Sequence, residues 1–182
     1  MARPCPNGLC FGLLAALAVG LASLVAGCGL GGAVGSVPDD ALSGRLRVPD
    51  GARSARVVRV IDGDTVVLGG AGKSRLIGVD TPEVRGRAEC YGAQAAAFVR
   101  RVLSPGSRAR YAPGEERRDR YGRALVYLWL EDGRSLNAML VEGGYATVLT
   151  IPPNERYAKR FRALAREARR KGAGRWSACR GA

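Results

Sequence analysis

The chain has 182 residues, with 29 Lys and Arg against 16 Asp and Glu and a formal net charge of +13. A hydrophobic share of 47% and a charged share of 25% exclude a wholly disordered or collagen-like chain and suit one compact domain with short extras. His is absent, which excludes imidazole bases, His metal ligands and Ser-His-Asp catalysis, while the positive excess calls for an anionic partner, either a nucleic acid backbone or an acidic membrane surface.

Arg3 precedes an apolar stretch from Leu9 to Ala26, which ends in Leu24-Val25-Ala26-Gly27-Cys28. That is a signal-peptide pattern, and small residues before a Cys resemble the lipobox of bacterial lipoproteins. Residues 1–27 are therefore expected to be removed and Cys28 to carry a lipid anchor in the membrane. An uncleaved membrane helix or ordinary cleavage nearby are the other readings. Cys5 and Cys10 would leave with the signal, so Cys90 and Cys179 remain as an even pair outside the cytoplasm. A disulfide is expected, against the alternative of two free thiols. Gly29 to Asp50 is rich in Gly, Ser, Pro and Asp without sustained periodicity, so 28–50 reads as lipidated Cys and flexible linker, and 51–179 as the globular domain.

Within that domain, Arg56 to Ile61 is β-branched and partly alternating, and Asp62-Gly63-Asp64 is a turn signal before a second strand, Thr65 to Leu68. A third strand is expected from Ser74 to Val79, ending at Asp80-Thr81-Pro82-Glu83, where Pro82 cannot donate to a ladder. Tyr91 to Leu103 has Phe98, Val99, Val102 and Leu103 at helical spacing before Ser104-Pro105-Gly106. Arg108 to Ala112 and Ala124 to Trp129 read as strands four and five, Leu136 to Glu142 as a short helix, and the segment after Pro152-Pro153-Asn154 as a last helix. That helix places Tyr157, Phe161, Leu164, Ala165 and Ala168 on one face. Five strands with a helix between the third and fourth match an α+β, mostly β architecture, an OB-fold barrel with three helices.

Three segments carry candidate chemistry: Asp62-Gly63-Asp64-Thr65, Arg75 with Val79-Asp80-Thr81-Pro82-Glu83, and Asp119-Arg120-Tyr121-Gly122-Arg123. Singly each has a bland explanation as a hairpin turn, a capped loop or a solvated turn. If the first three strands form a meander, Asp64, Asp80 and Glu83 converge. Carboxylates so close repel unless a hard cation with oxygen ligands, such as Ca²⁺, sits among them. Arg75 and Arg123 offer guanidinium forks to a phosphate. A cation and two arginines around a phosphodiester describe a phosphodiesterase site.

These three segments, in this order, resemble the staphylococcal nuclease (thermonuclease) family over about Arg56 to Trp176. The resemblance implies an OB-fold barrel with three helices and a Ca²⁺-dependent nuclease that cleaves DNA and RNA, leaving 3′-phosphate and 5′-hydroxyl ends. It implies Asp64 and Asp80 as carboxylate ligands of Ca²⁺ and Thr81 as a carbonyl ligand. Glu83 resembles the residue that orients or deprotonates the attacking water, and Arg75 and Arg123 the phosphate-binding arginines, Arg123 on the leaving-oxygen side. Asp62 resembles an acid near the metal that is not a direct ligand, Tyr121 a substrate phosphate contact, and Arg120 stands where Lys is usual.

Two departures bear on substrate preference. Thr150 and Pro152 lie where the type enzyme has tyrosines, and the loop from Val84 to Glu89 is shorter. A non-catalytic OB module that binds nucleic acid at the cell surface is the competing reading, and a monomer is expected in either case. Between Glu155 and Arg175 nine basic residues outnumber two acids. This run reads as the solvated side of a helix, with steering of polyanions or holding of anionic lipid as the alternatives.

Overall fold

The computed structural model describes residues 45–179, so the expected signal segment, the acylated Cys28 and most of the linker lie outside the described residues. Among the described residues no helix is long and apolar enough to cross a membrane. Strands β1 (Arg53–Val60), β2 (Thr65–Leu68), β3 (Gly72–Leu76), β5 (Arg108–Arg118) and β6 (Ala124–Leu130) close into a barrel in the order β1-β2-β3-β6-β5. The β3–β6 pair is parallel and the other barrel pairs are antiparallel. Alternation along β1 sends Ala55 and Val57 inward and Arg56 and Val58 outward, until a bulge between Val57 and Arg59 breaks the period. Leu128, Leu76 and Val66 share the inner face of the barrel, Trp129 is buried on the opposite face of β6, and closure leaves no free edge among these strands. This is the expected five-stranded OB-type barrel with helices.

The third strand differs from expectation. The stretch Ser74 to Val79 is split at Ile77: Gly72–Leu76 joins the barrel as β3, whereas β4 (Gly78–Asp80) pairs with β7 (Thr147–Leu149) in a second, two-stranded sheet. Gly78 is the cause. Its φ of +79° is left-handed, and a Cβ there would come within 2.6 Å of the Phe161 ring. The swing carries Asp80 out of the barrel and opposite Thr147, whose hydroxyl donates to the Asp80 carbonyl at 3.3 Å.

Helices α1 (Gly92–Val102), α2 (Leu136–Glu142) and α3 (Ala158–Lys171) are the three expected, and a single turn, α4 (Arg175–Ala178), follows. Helix α2 is capped by the Ser135 hydroxyl, which accepts from Ala138 N. It is stapled to the barrel by buried Asn137, whose Oδ1 accepts from Leu128 N at 2.9 Å and whose Nδ2 donates to Ile77 O at 2.8 Å. Helix α3 buries Phe161, Leu164 and Ala168 against α2 and exposes Lys159, Arg162 and Arg166. Cys90, just before α1, is bridged to Cys179 at the end of α4.

The packed part begins before Gly51. Leu46 is buried, and its carbonyl accepts from the indole N–H of Trp129 at 2.8 Å. A buried indole needs an acceptor, so the last residues of the expected linker are recruited into the core.

Candidate active site

The turn between β1 and β2 is closed by Ile61 N and Asp62 N donating to Thr65 O, while Asp62 Oδ1 accepts from Asp64 N at 3.1 Å. These bonds aim the buried Asp64 carboxylate at Thr81: Oδ2 accepts from Thr81 N and Thr81 Oγ1, both at 2.9 Å, and Oδ1 accepts from Thr65 Oγ1 at 3.1 Å. The turn lies so close to Thr81 that a Cβ on Gly63 would be 2.7 Å from its side chain.

Arg75 stands opposite Thr65 in the β2–β3 ladder, and that register delivers its guanidinium between two acids. It is ion-paired with Asp64 and contacts Asp80 Oδ1 at 2.7 Å. The Arg75 and Asp64 side chains are only 13% and 10% exposed, whereas Asp80 is 52% exposed. Burial, then the neighbouring Asp64 charge, raises the Asp62 carboxyl above its ordinary value against the turn's hydrogen bonds.

Of the expected convergence of Asp64, Asp80 and Glu83, the fold brings together only the first two. Asp64 and Asp80 meet on Arg75, Asp62 spends its oxygen on its own turn, and Glu83 is exposed with its N–H donating to Glu89 Oε2. Among the described residues no set of three Asp, Glu, Cys or His side chains is placed to hold a metal. The physical reason is that the guanidinium supplies the positive charge the two carboxylates require. Hard oxygen donors from Asp64 and Asp80 converge on one positive group, and the exposed Asp80 leaves that place open to solvent. The donor set fits Ca²⁺ in kind.

The second half of the site is the β5–β6 turn. Gly122, at φ +75°, lets Asp119 N donate to Arg123 O and Gly122 N to Asp119 O. Asp119 then organises everything around it: Oδ1 accepts from Tyr121 N and Arg123 N, and Oδ2 accepts from Arg123 Nε at 2.6 Å. Burial alone would raise this carboxyl, but the hydrogen bonds and charge of Arg123 hold it below its ordinary value. With Nε fixed, the terminal nitrogens of Arg123 make no hydrogen bond among the described residues. The Tyr121 ring lies 4.8 Å from the Arg120 guanidinium and 5.4 Å from that of Arg123.

Arg75, Arg120, Tyr121 and Arg123 all border one cavity of about 500 Å³. Glu83, Asp64, Asp80 and Thr81 lie outside its lining. The opposite wall holds Leu149 and Ile151, both exposed and aliphatic, in the stretch where tyrosines are missing. Sequence reasoning gave no role to Asp119 or Asn154. Asp119 was visible as the start of a tight turn five residues long. Asn154 was not: its Oδ1 accepts from Glu116 N at 3.1 Å and its Nδ2 donates to Glu116 O at 3.0 Å, a clamp across 38 residues that no local spacing signals.

The chain is similar in sequence to known nucleases. Over 121 residues the chain is 38% identical to a thermonuclease of Staphylococcus intermedius, covering 63% of this chain and 71% of that protein. It is 36% identical over 129 residues to a thermonuclease of Staphylococcus hyicus, covering 67% and 75% of the two chains. Against the endonuclease YncB of Bacillus subtilis (strain 168) the identity is 35% over 118 residues, covering 61% and 56%. The family model described as staphylococcal nuclease homologue matches residues 73–178, more than half of the chain, and the protein belongs to that family.

Proposed function

We propose that this protein is an extracytoplasmic, calcium-dependent nuclease that hydrolyses phosphodiester bonds of DNA and RNA, leaving 3′-phosphate and 5′-hydroxyl ends. The observation that carries the reading is that Arg75 and Arg123, delivered by separate segments, open onto one cavity while Asp64 and Asp80 are held against Arg75.

In this reading the two guanidinium forks bind the scissile phosphate and stabilise the charge that builds on its oxygens. Arg75 exchanges Asp80, the more exposed of its two carboxylates, for a phosphate oxygen. Arg123, oriented by Asp119, donates toward the departing 5′ oxygen. Glu83 orients or deprotonates the attacking water, and its exposure leaves it in exchange with solvent. Arg120 and Tyr121 contact a neighbouring phosphate. Asp64, Asp80 and the Thr81 carbonyl would hold Ca²⁺, which supplies Lewis-acid stabilisation of the phosphoryl charge when bound. Asp62 shapes the turn beneath these ligands without joining them.

The Cys90–Cys179 bridge supports an oxidising compartment. It agrees with a chain that loses residues 1–27, is anchored by a lipid on Cys28, and acts as a monomeric domain over 51–179 extended by the packed residues around Leu46. The test is incubation of plasmid and single-stranded DNA with the mature chain, with and without a Ca²⁺ chelator. Cleavage that the chelator abolishes is expected. Intact DNA at millimolar Ca²⁺ would overturn the enzyme reading and leave a binding-only module.

A further inference from the structure

The β5–β6 ladder opens on the far side of the candidate site. Pro113 pairs with Val126 and Arg118 with Ala124, so five steps along β5 face only two along β6, and the extra residues bow outward. The Asn154 clamp on Glu116 holds the bow from one side. Neighbouring residues of an extended segment point to opposite faces: Glu116 borders the cavity that contains Arg75 and Arg123, and Arg117 borders a second concavity of about 240 Å³.

Arg53 from the start of β1, Arg117 and Arg118 from β5, and Gly70 and Ala71 from the β2–β3 turn line this second concavity, and no carboxylate does. Arg118 is spoken for, since its Nη1 donates to Gly122 O at 2.7 Å. Arg53 and Arg117 have no ion-pair partner among the described residues. Three guanidinium groups around one hollow repel one another, and an anion with several oxygens relieves that repulsion. Leu125 borders both hollows, so they lie back to back across a single strand.

We propose that this concavity is a second phosphate subsite, in which Arg53 and Arg117 bind the backbone of the substrate strand away from the scissile bond. This rests on the nucleic-acid reading of the first cavity. The bowed segment of β5 is then a post around which the strand passes, and the subsite makes the enzyme favour long substrates over short ones.

The test compares the full chain with its R53A/R117A variant on a single strand of about a dozen nucleotides and on a dinucleotide. Both arginines are exposed and outside the reacting centre. The expected result is a KM raised about tenfold on the long strand with kcat unchanged, and no change on the dinucleotide. The salt dependence of long-strand binding should also fall by about one unit of slope. An equal loss on both substrates, or an unchanged KM on the long strand, overturns the proposal. So does loss of binding to phosphatidylserine vesicles with long-strand KM intact, because the hollow would then serve a membrane. If the wild-type chain cleaves nothing, the catalytic reading fails separately, and fluorescence anisotropy of a labelled long strand still decides the subsite: weaker binding by the variant supports it and equal binding overturns it.

Discussion

Arg75 and Arg123 border the same cavity and each is ion-paired with an acid, yet they are built in opposite ways. Arg123 is positioned by Asp119, four residues back in the same turn, and needs nothing from the barrel beyond the two strands that carry the turn. Arg75 is positioned by Asp64 across a ladder and by Asp80 on a separate sheet, so its orientation is a property of the whole fold. One arginine is preorganised locally; the other is preorganised globally and holds the surrounding structure in place in return. Activity and stability are therefore separable at Arg123 and inseparable at Arg75.

Replacing the two arginines is the strongest way to break this contrast. Arg75→Ala and Arg123→Ala should each lower turnover by about 10²- to 10³-fold, because each removes a donor aimed at developing charge. Only Arg75→Ala should also destabilise the fold, by about 3–5 kcal/mol, because it leaves the buried Asp64 carboxylate without its counter-charge. Millimolar Ca²⁺ should recover part of that loss. Urea denaturation of both variants with and without Ca²⁺ measures the difference, and equal stabilities would dissolve it.

The disulfide lies on the Arg75 side, after the loop that carries Glu83. It closes a separation of 89 residues, so Cys90→Ala/Cys179→Ala should cost about 2–4 kcal/mol. The loop would lose its tether to α4, and turnover should fall more than substrate binding. Single-turnover kinetics separate the two. A KM effect with kcat intact would show that the bridge shapes the substrate surface instead.

Two glycines sharpen the contrast at smaller scale. Gly63→Ala places a Cβ 2.7 Å from Thr81, inside the packed Asp64 cluster, and should cost about 1–3 kcal/mol through overpacking. Gly122→Ala meets open space, and its cost should be limited to the strain of φ +75°, about 1–2 kcal/mol. Thermal melts give both values. Ca²⁺ affinity, followed by calorimetry, should suffer only in the first.

The same division governs how much could be read from sequence. Elements fixed by local signals came through with their bounds intact: Thr65–Leu68 ahead of a turn, and Leu136–Glu142 behind Ser135. The Asp119–Arg123 turn is likewise complete within its own five residues. What was missed depends on contacts distant in sequence. The third strand looked continuous because Ile77-Gly78-Val79 reads as strand until Phe161, more than eighty positions later, packs against Gly78. β7 is three residues long and exists only because β4 needs a partner. The acids of the first half were legible as residue types but not as a cluster. Whether Asp64, Asp80 and Glu83 gather or two of them share a guanidinium depends on which way Arg75 leaves its strand, and sequence spacing does not reveal it.

The smallest expected effect tests the local half alone. The Asp119 carboxyl is held below its ordinary value by Arg123, so the folded state favours its ionised form. Its contribution to stability is therefore fully present above the ordinary carboxylate range and disappears as pH falls through the lowered value. Asp119→Asn should lose less than about 1 kcal/mol at neutral pH, as befits a single i,i+4 pair, and the gap to wild type should close on the acid side. Denaturation midpoints from neutral pH down through the carboxylate range measure that gap. If it persists at the lowest pH, Asp119 acts through turn geometry and not through its charge. Arg123 would then be positioned by the backbone, and kcat in Asp119→Asn should stay near normal at neutral pH. If the gap closes, the carboxylate itself aims the guanidinium, and kcat should fall with the pairing while the Arg75 cluster, with its own acids, remains intact.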